Sequence, residues 1–496
     1  MEKTAAVIGA GMGGLSAAAR LASAGFNVEL FEQKKGPGGK ADSLNLGPFR
    51  FDKGPSLFTM PHVFRDLFSQ CGRNMDDYLK LRQLKEVTRY FYPDGTRLKS
   101  SGDMKEYARN IAAATNDSFE DVFSYMNLCR KMFRSTEEIF LWNDPRDINI
   151  LFSRNALKAL FSIPPAALRK NMHDFSRKHL SDPRAVQLFD RYATFNGSSP
   201  YKAKGIFNLI SAMETDGMAL MPEGGIYSLV LAMTKLAEES GVKIHYNTKV
   251  NRIAEEKNIV TGVEIEGELR KFDIVISNLD AGYTLSGLLE GKKEKISGKL
   301  AGQEPSSSGL VFFWGISREF SELGLHNIFF SSDYRKEFDM LFSGKGSEIY
   351  HDPTVYINIT SKTEKNDAPE GMENWFVLVN APSIKNGQDW EKISNNTRKN
   401  ILEKLSRMLD ENPEKYIKEE RILAPPDIEN DTGSRLGSLY GTASHSWKSA
   451  FMRLKNRYRK IRGLYFCGGS VHPGGGMPLA VLSGRIAAEK IKKDFL

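Results

Sequence analysis

Three glycines near the start of the chain have the spacing of a phosphate-binding turn. Gly9, Gly11 and Gly14 follow an apolar run at residues 5–8 and precede a helix-like stretch of small residues. In such a turn the first glycine permits a tight bend, the second lets a pyrophosphate approach the backbone, and the third lets the helix pack on the sheet. Amide groups at the start of the helix then face phosphate oxygens. The pattern favours a dinucleotide site over a simple glycine turn.

A carboxylate at the end of the next predicted strand supports a dinucleotide. Glu32 ends the stretch NVELFE, 18 residues after Gly14, where it can accept hydrogen bonds from ribose hydroxyls. Its charge would repel a 2′-phosphate, which argues against NADP at this site. Strand, glycine turn, helix and strand together predict a Rossmann-like α/β unit, but the motif alone does not separate NAD from FAD.

A second glycine-rich stretch follows Glu32. Residues 38–43 read GGKADS, and Lys40 and Arg50 lie among the turns that continue to Phe58. A cationic residue close to the first turn suits a pyrophosphate longer than one helix terminus can cover, although a surface hairpin with solvated charge explains the pattern as well. No second GxGxxG unit occurs in the sequence. The chain is therefore predicted to hold one nucleotide, without a tightly bound nicotinamide as its other redox partner.

Two later regions are predicted to complete this unit. Residues 224–241 have the pattern of an amphipathic helix, and residues 242–281 alternate between apolar and polar types, which predicts strands, a hairpin and a last parallel strand. Near the C-terminus, five glycines and two prolines lie between Gly468 and Pro478. Because such a segment buries almost nothing itself, its expected use is to let backbone come close to a ligand.

Composition excludes several classes of function. The 496 residues predict two or three domains, and 41% hydrophobic with 26% charged residues is typical of a globular protein. The net charge of +8 suits an anionic cofactor or membrane surface, and no motif supports a nucleic-acid partner. Three widely spaced cysteines predict a reducing compartment, with neither a disulfide framework nor a zinc or iron–sulfur site. The eight histidines show no metal-ligand spacing.

One basic segment suggests contact with a membrane surface. Residues 154–179 contain six Lys or Arg residues and one acid, interleaved with apolar residues that include Leu157, Phe161 and Phe175. Basic residues beside an apolar face suit a membrane-surface helix, here divided by Pro164–Pro165, but an ordinary pair of surface helices is the alternative. The N-terminus has no signal-peptide pattern and no apolar run is long enough to span a bilayer. The strongest such run, at 309–316, is predicted as a buried strand.

Four stretches together resemble the bacterial carotenoid desaturases, the phytoene-desaturase type of flavoprotein within the wider amine-oxidase-like group. They are AAVIGAGMGGLSAAARLASAGFNVELFE, GPGGKADS with FDKGPSLFTMP, MPEGGIYSLVLAM with VKIHYNTKVNRI, and GLYFCGGSVHPGGGMPLAVLSGR. The resemblance runs from residue 5 to residue 485, and the last stretch is the most specific. The family usually has Thr or Ala before the histidine of that stretch, where this chain has Val471.

The resemblance implies FAD as the cofactor and assigns residues to it. Glu32 would lie at the adenosine ribose, Lys40 at the phosphates and Val250 at the adenine. Gly54, Pro55 and Ser56 would lie beside the isoalloxazine ring. The full predicted set is Gly9, Ala10, Gly11, Met12, Gly13, Gly14, Glu32, Gly39, Lys40, Gly54, Pro55, Ser56, Val250, Gly468, Gly469, Ser470 and Met477.

The C-terminal glycines take their role from the same resemblance. Gly468, Gly469 and Ser470 would pass along the ribityl chain and phosphate, with the Met477 backbone near the pyrimidine end of the ring. The helix that follows, predicted at 479–490, would point its amino end at the cofactor, where partial positive charge favours the reduced, anionic flavin. His472 is expected to pack beside this loop.

The implied fold class is α/β, with a Rossmann-like FAD-binding domain of the amine-oxidase/glutathione-reductase type and an inserted α+β substrate domain. A helical, membrane-contacting part is expected at about 130–200. The predicted segments are 1–75, 222–300 and 416–496 for the FAD-binding domain, and 76–221 and 301–415 for the substrate domain. The expected location is peripheral, on the cytoplasmic side of the cell membrane.

The implied reaction is FAD-dependent desaturation of a carotenoid. A hydride would pass from an allylic carbon to the flavin while a proton leaves the adjacent carbon, and the electrons would go on to a quinone or oxygen. The C-terminal motif leans towards hydroxylated or cyclised carotenoids and the 3,4 position. Glu214 and Asp52 are the candidate proton acceptors, and each has a plain structural alternative as a turn or surface acid.

Three alternatives stay open on the sequence. A carotenoid cis–trans isomerase or polyene saturase would use the same cofactor but needs no net acceptor, or needs a reductant. An amine oxidase would need a small polar substrate, which the apolar, aromatic-rich middle of the chain disfavours. A lipid-binding flavoprotein would have no catalytic role.

Overall fold

The computed structural model describes residues 3–147, 159, 161–215, 219–289, 303–342, 348–446, 449 and 453–496. The strands are β1 Thr4–Ile8, β2 Asn27–Phe31, β3 Asp42–Leu46, β4 Phe49–Lys53, β5 Leu81–Gln83, β6 Glu86–Phe91, β7 Arg97–Ser101, β8 Leu220–Pro222, β9 Lys243–His245, β10 Val250–Glu256, β11 Ile259–Ile265, β12 Glu268–Lys271, β13 Ile274–Ser277, β14 Ser308–Ile316, β15 His326–Phe329, β16 Val355–Ile359, β17 Glu373–Ala381, β18 Ile417–Leu423 and β19 Leu464–Phe466. The main helices are α1 Met12–Ala22, α2 Pro61–Gln70, α3 Met104–Ala114, α4 Phe119–Glu137, α5 Pro165–Arg169, α6 Met172–Ser176, α7 Pro183–Asp190, α8 Ile226–Glu239, α9 Tyr334–Phe342, α10 Trp390–Leu409, α11 Pro425–Thr432 and α12 Met477–Phe495.

A five-stranded parallel sheet is built from distant parts of the chain. Its strand order is β19-β13-β1-β2-β9, and β1 pairs with both β2 and β13 in parallel. The strand–turn–helix–strand unit predicted at the N-terminus is confirmed by β1, α1 and β2. The helix predicted at 224–241 is confirmed as α8, and the last strand of 242–281 is β13, parallel as expected. Between β9 and β13, β10 to β12 form a separate antiparallel sheet.

A seven-stranded mixed sheet forms the second layer, in the order β18-β14-β17-β16-β15-β6-β7. The apolar run predicted as a buried strand is β14, which is buried along its whole length. Side chains alternate between the two faces of a strand. On one face Trp314 and Trp375 pack against Ile401 and Leu405 of α10. The opposite face, called the free face below, packs in part on Phe49 and Phe51 of β4 and otherwise lines a cavity.

A helical layer lies over that free face. The helix α4 begins at Ser118, whose side chain accepts a hydrogen bond from Asp121 N, a standard N-cap. Two 3₁₀ helices, Arg191–Asn196 and Gly205–Glu214, continue the layer. Tyr125, Phe175 and Tyr192 of this layer are fully buried with Tyr90 of β6.

The segment predicted to contact a membrane is only partly described. Residues 148–158 and 160, which include Leu157, lie outside the described residues. Its described part contains two short helices, α5 and α6. Phe161 is 85% exposed, whereas Phe175 is 0% exposed in the core of the helical layer. The expectation that both rings share one apolar surface is therefore wrong, because α6 turns Phe175 inward.

Membrane-spanning helices were sought among the same described residues. None of their helices is both long enough and apolar enough to cross a bilayer.

Candidate functional site

One cavity of about 630 Å³ reaches from the glycine-rich turns to the seven-stranded sheet. All but two of the predicted cofactor residues line it. The exceptions, Ala10 and Gly14, stand behind its wall and shape the first turn. The cavity therefore brings together turns that are hundreds of residues apart in the sequence.

The first glycine turn has the geometry predicted for it. Gly9 has φ +96°, and a Cβ on Gly14 would lie 2.1 Å from the Gly9 carbonyl oxygen. This contact leaves no room for any side chain at position 14. The turn meets the second glycine stretch directly, because Gly38 N donates to Ala10 O at 2.9 Å.

Glu32, the residue directly after β2, supports the first turn. Its Oε2 accepts from Ala10 N at 2.8 Å and its Oε1 accepts from Lys34 N at 2.9 Å. The side chain is buried and lines the cavity. A carboxylate oxygen has more than one lone pair, so Glu32 can hold the turn and still accept a ribose hydroxyl.

Two helices point their amino ends into the cavity. Neither α1 nor α12 has a side-chain cap or an acid in its first turn. They cross closely at Gly484, where a Cβ would lie 2.4 Å from Gly13 O, and Ser16 Oγ donates to Val481 O at 2.8 Å. Uncapped amide groups at a helix start attract anions, so the donors present fit the pyrophosphate and flavin of FAD.

Asn278 lies between these turns. It is not among the cofactor residues predicted from the sequence. It follows β13, and a Cβ added to Gly11, Gly13 or Gly468 would lie 2.6–2.7 Å from its side chain. Asn278 could have been predicted from its position. It follows a parallel strand, and in open α/β sheets ligands bind at the carboxyl ends of the strands. Asn278 thus sets how closely the N- and C-terminal turns approach.

Two cations line the same part of the cavity. Lys40 Nζ donates to Leu439 O at 2.8 Å and to Ser438 O at 3.2 Å; burial lowers the pKa of Lys40 to about 8, partly offset by Asp280. Arg453, also missed on the sequence, donates to the carbonyls of Tyr440, Thr442 and Gly469. Burial lowers its pKa to about 10. Both cations brace backbone loops that border the cavity.

The remaining C-terminal predictions are placed as follows. Met477 begins α12, and Gly468, Gly469 and Ser470 line the cavity. Ser470 Oγ accepts from Ala281 N at 3.0 Å, so this side chain positions the loop. His472 Nε2 lies 2.8 Å from Asn143 O and lines the cavity beside the loop.

The free face of the seven-stranded sheet is the floor of the cavity. His326 and Ile328 lie on the same face of β15, and register places Tyr356 and Leu378 on that face of the next strands. All four line the cavity. No periodic sequence signal connects these residues, because only strand pairing brings them together.

A chain of polar side chains crosses the floor. Ser56 Oγ, predicted beside the flavin ring, lies 2.6 Å from Tyr356 OH. Tyr356 OH lies 2.8 Å from Nδ1 of His326. Asn358 Nδ2 donates to the same Nδ1 at 3.1 Å and to Leu325 O at 3.0 Å.

A buried ion pair lies on the helical side. Arg191 Nη2 donates to the two carboxylate oxygens of Glu214 at 2.9 and 2.7 Å, and to Tyr90 OH at 2.7 Å. Tyr192 OH donates to Glu214 at 2.8 Å. Arg191 and Glu214 both line the cavity.

The other candidate acid, Asp52, lies outside the cavity lining. It accepts from Ile226 N and Tyr227 N at the start of α8, and it pairs with Arg50 at 2.6 Å. Within the described ranges, no group of three or more His, Cys, Asp or Glu residues is arranged to hold a metal ion.

The geometry fits the family that the chain matches. Residues 12–492 match the family described as flavin containing amine oxidoreductase. The chain belongs to this family. FAD is its cofactor, as predicted, and the site residues described above are the ones available to hold it.

Two relatives align with nearly the whole of this chain. The chain is 40% identical over 489 residues to 1-hydroxycarotenoid 3,4-desaturase from Flavobacterium sp. (strain P99-3), covering 99% of both chains. It is 34% identical over 497 residues to 4,4'-diaponeurosporene oxygenase from Staphylococcus aureus (strain MRSA252), covering 99% of this chain and 98% of the relative. The resemblance to bacterial carotenoid desaturases is confirmed.

A solved structure shares the fold of this flavin-containing chain. An oxidoreductase from Methanosarcina mazei superposes with a TM-score of 0.65 at 17% identity, covering 99% of this chain and all of that one. The predicted fold class is confirmed, apart from membrane contact.

Proposed function

We propose that the chain is a carotenoid desaturase, which removes a hydride and a proton from adjacent carbons of a long polyene. The observation that carries this proposal is one cavity that joins FAD-type glycine turns to an apolar sheet floor. The relative with 40% identity is named a desaturase of a 1-hydroxycarotenoid. The second relative is named an oxygenase, so both names describe oxidation, which favours desaturation over isomerisation or saturation.

The substrate part of the cavity is mostly apolar. A hydrocarbon chain has no polar groups to satisfy, so this lining suits it. An ammonium group would be desolvated there without a counter-charge of its own, which disfavours a small amine substrate. The apolar lining residues are Phe133, Phe140, Phe195, Ile206, Phe207, Leu209, Ile210, Met213, Val311, Ile328 and Leu378.

The protein's own part is to hold FAD, orient the polyene and exclude water. FAD, when bound, supplies the redox chemistry by accepting the hydride. Glu32, Lys40 and the three glycine-rich turns would hold it, with Ser56 beside the ring. Glu214 and Asp52 are both held in ion pairs, so we assign them structural rather than proton-accepting roles.

The proposed domains follow the two large sheets. All strands of the parallel sheet come from 1–75, 222–300 and 416–496, which supports the FAD-binding assignment. However, β18 pairs with β14 of the seven-stranded sheet. We therefore place the last boundary after Leu423 instead of before residue 416.

The reaction is tested with flavin-loaded protein, anaerobic liposomes and a set of carotenoids. Each new conjugated double bond shifts polyene absorption to longer wavelength, and the flavin bleaches in step. Leu209→Trp, which fills the cavity, should lower kcat/KM by about tenfold or more, whereas Leu231→Trp, on an exposed position of α8, should not. Flavin reduction by small amines, with no carotenoid converted, would refute the proposal.

The electron acceptor is proposed to be a quinone or oxygen. The sequence contains a single GxGxxG unit, and desaturation requires electrons to be removed. Product should form anaerobically with quinone and without NAD or NADP. Product that forms only with a nicotinamide nucleotide, reduced in step, would contradict this.

We also propose peripheral membrane binding, on the cytoplasmic side. Phe161 is 85% exposed, and Arg169 and Lys170 follow it at the end of α5. Co-sedimentation with anionic liposomes should weaken in high salt and in the variant Phe161→Ser/Arg169→Gln/Lys170→Gln. Lys399→Gln, on the exposed side of α10, is the control. If co-sedimentation is unchanged both in high salt and in the variant, this segment is not the membrane-binding surface.

A further inference from the structure

The end of α4 and the turn that follows it line the cavity with one acid. The lining residues of this stretch are Phe133, Thr136, Glu137, Phe140 and Leu141, of which three are apolar and one is charged. Residues four apart on a helix share a face, so Glu137 shares the face of Phe133. This carboxylate is placed among side chains that the proposed polyene would contact. A hydrocarbon has no polar group to pair with it, which points to a chemical role instead of a binding role.

Two donors hold one oxygen of Glu137 and leave the other open. Nε2 of His62 lies 2.5 Å from Oε1, and Trp142 Nε1 donates to the same oxygen at 3.2 Å. In the described part of the chain no hydrogen bond reaches Oε2. The side chain is 18% exposed, and Oε2 itself is not buried. An ionised carboxylate oxygen can only accept, so Oε2 keeps its lone pairs for a proton.

A π-helical turn sets this arrangement. It spans Glu138–Trp142, and it lets Trp142 reach back five residues to Glu137. The turn is fixed to the C-terminal cofactor segment, because Arg485 of α12 donates to Trp142 O at 3.1 Å and lies 4.9 Å from the centre of the indole ring. Turns of this kind are rare and are frequently found at functional sites.

His62 ties the carboxylate to the other side of the cofactor site. It is the second residue of α2, and Thr59 and Met60, just before that helix, line the cavity. They continue from the stretch Gly54–Ser56, which is proposed to lie beside the flavin ring. Glu137 is thus held from two directions by segments that border the proposed position of the ring, and it faces the apolar lining between them.

The other acids and the histidines of the lining are less suited to take a proton. Glu214 accepts from Arg191 through both oxygens, and Asp431 lies 2.5 Å from a lysine. Burial lowers the pKa of His326 to about 3 and that of His472 to about 4, which makes both rings weak bases. The remaining acids each accept a backbone N–H group, namely Glu32, Asp42 and Asp280.

We propose that Glu137 accepts the proton that leaves the polyene. In the proposed reaction a hydride departs with the electron pair of one C–H bond and goes to the flavin of bound FAD. The proton of the adjacent C–H bond goes to Oε2 of Glu137, and the electron pair that it leaves behind becomes the new double bond. The carboxyl releases this proton to solvent after the product has left. The inference rests on the proposed function, because it names a catalytic residue for the same reaction.

The test compares Glu137→Gln with the wild type in the carotenoid assay, per bound flavin. Gln keeps an amide oxygen for His62 and Trp142 but cannot take up a proton. The variant should lose about a hundredfold or more in kcat/KM, as expected for a lost general base. The Kd of the polyene for dithionite-reduced protein should stay within about threefold, because no hydrogen bond to the hydrocarbon is removed. Glu138→Gln, at the next and exposed position, is the matched control and should keep wild-type kcat/KM.

Two further measurements separate a catalytic role from a structural one. Formate, a small carboxylate, should raise the rate of Glu137→Ala protein in proportion to its concentration and should leave the wild type unchanged. During a single turnover of the wild type, infrared spectroscopy should show the band of a protonated carboxyl, which ¹³C-glutamate labelling shifts. This second measurement needs no variant, so it also decides the case in which Glu137→Ala folds poorly.

The inference and the proposed function fail in different ways. An active wild type beside an equally active Glu137→Gln protein would refute the inference alone. The absence of a carboxyl band, or folded Glu137→Ala protein that formate does not restore, would do the same. If the wild type converts no polyene, the proposed function fails and the inference fails with it.

Discussion

The cofactor end and the substrate end of the cavity differ in which part of the chain forms them. The cofactor end is made largely of backbone, in a turn and two helices where Gly9, Gly14 and Gly484 permit close approach. The substrate end is made of side chains, with His326 and Arg191 held by partners from several strands and helices. A site made of backbone depends on glycines that lack a side chain, because a Cβ would block the close approach. A site made of side chains depends on hydrogen-bond and charge partners that come from distant parts of the sequence. The two ends should therefore respond differently to substitution.

The largest effect is expected at the substrate end. Arg191→Met would leave Glu214, 1% exposed, without its cation, and loss of one partner of a buried pair costs about 3–5 kcal/mol. Urea unfolding should show this loss, while Lys399→Met, in an exposed pair 3.8 Å from Glu403, should change stability by about 1 kcal/mol or less. The flavin should stay bound in the folded fraction. Complete flavin loss from folded Arg191→Met would show that the two ends are not separate.

Glu32→Ala tests the carboxylate at the cofactor end. FAD affinity should fall by about 1.5–3 kcal/mol, because a charged acceptor of hydrogen bonds is lost and Ala10 N loses its partner. Flavin content after gel filtration and dilution measures this. Glu29→Ala, which removes a carboxylate of the same strand that pairs with His245, should leave flavin content unchanged. Equal retention in both variants would argue against the ribose role of Glu32.

Gly14→Ala tests the backbone directly. The added Cβ would meet Gly9 O at 2.1 Å, whereas a Cβ on Gly36 would lie 3.5 Å from the hydroxyl oxygen of Tyr227, an ordinary van der Waals contact. Forced rearrangement costs about 1–3 kcal/mol, so Gly14→Ala should lose flavin and Gly36→Ala should not. Thermal unfolding and flavin fluorescence of the two variants give the comparison. If Gly14→Ala protein kept its full flavin content, the turn would be able to accommodate a Cβ by a small rearrangement, contrary to this prediction.

The smallest effect is a pH dependence at Lys40. Its pKa is lowered to about 8 by burial, and a bound pyrophosphate would raise that pKa again. Above about pH 8 binding of FAD therefore takes up a proton, so affinity should weaken as pH rises from about 8 to 9, by up to about tenfold per unit. Lys40→Met should remove the slope. A wild-type affinity that is flat over this range would place the phosphates away from Lys40.

Prediction from sequence worked well for one end of the cavity and poorly for the other. The first turn, Glu32 and the C-terminal turn were all identified, because each is a local pattern with a spacing set by backbone geometry. Asn278 could have been predicted as a site residue, since it follows a predicted parallel strand. His326, Tyr356 and Arg191 had no such pattern, and Glu214 was considered only as an acid, without its cation.

The resemblance of four stretches to a known family implied the cofactor, and the sequence by itself determined the parallel nucleotide-binding unit and the positions of its turns. These depend on glycine, on strand and helix periodicity and on one carboxylate, all of which act over short distances along the chain. Only the tertiary structure decided that Phe175 is core while Phe161 is exposed, that β18 joins the seven-stranded sheet, and that His326 and Tyr356 meet on the floor of the cavity. The physical reason is that burial, strand register and the pairing of charges depend on residues far apart in sequence, which meet only when the sheets and helices pack.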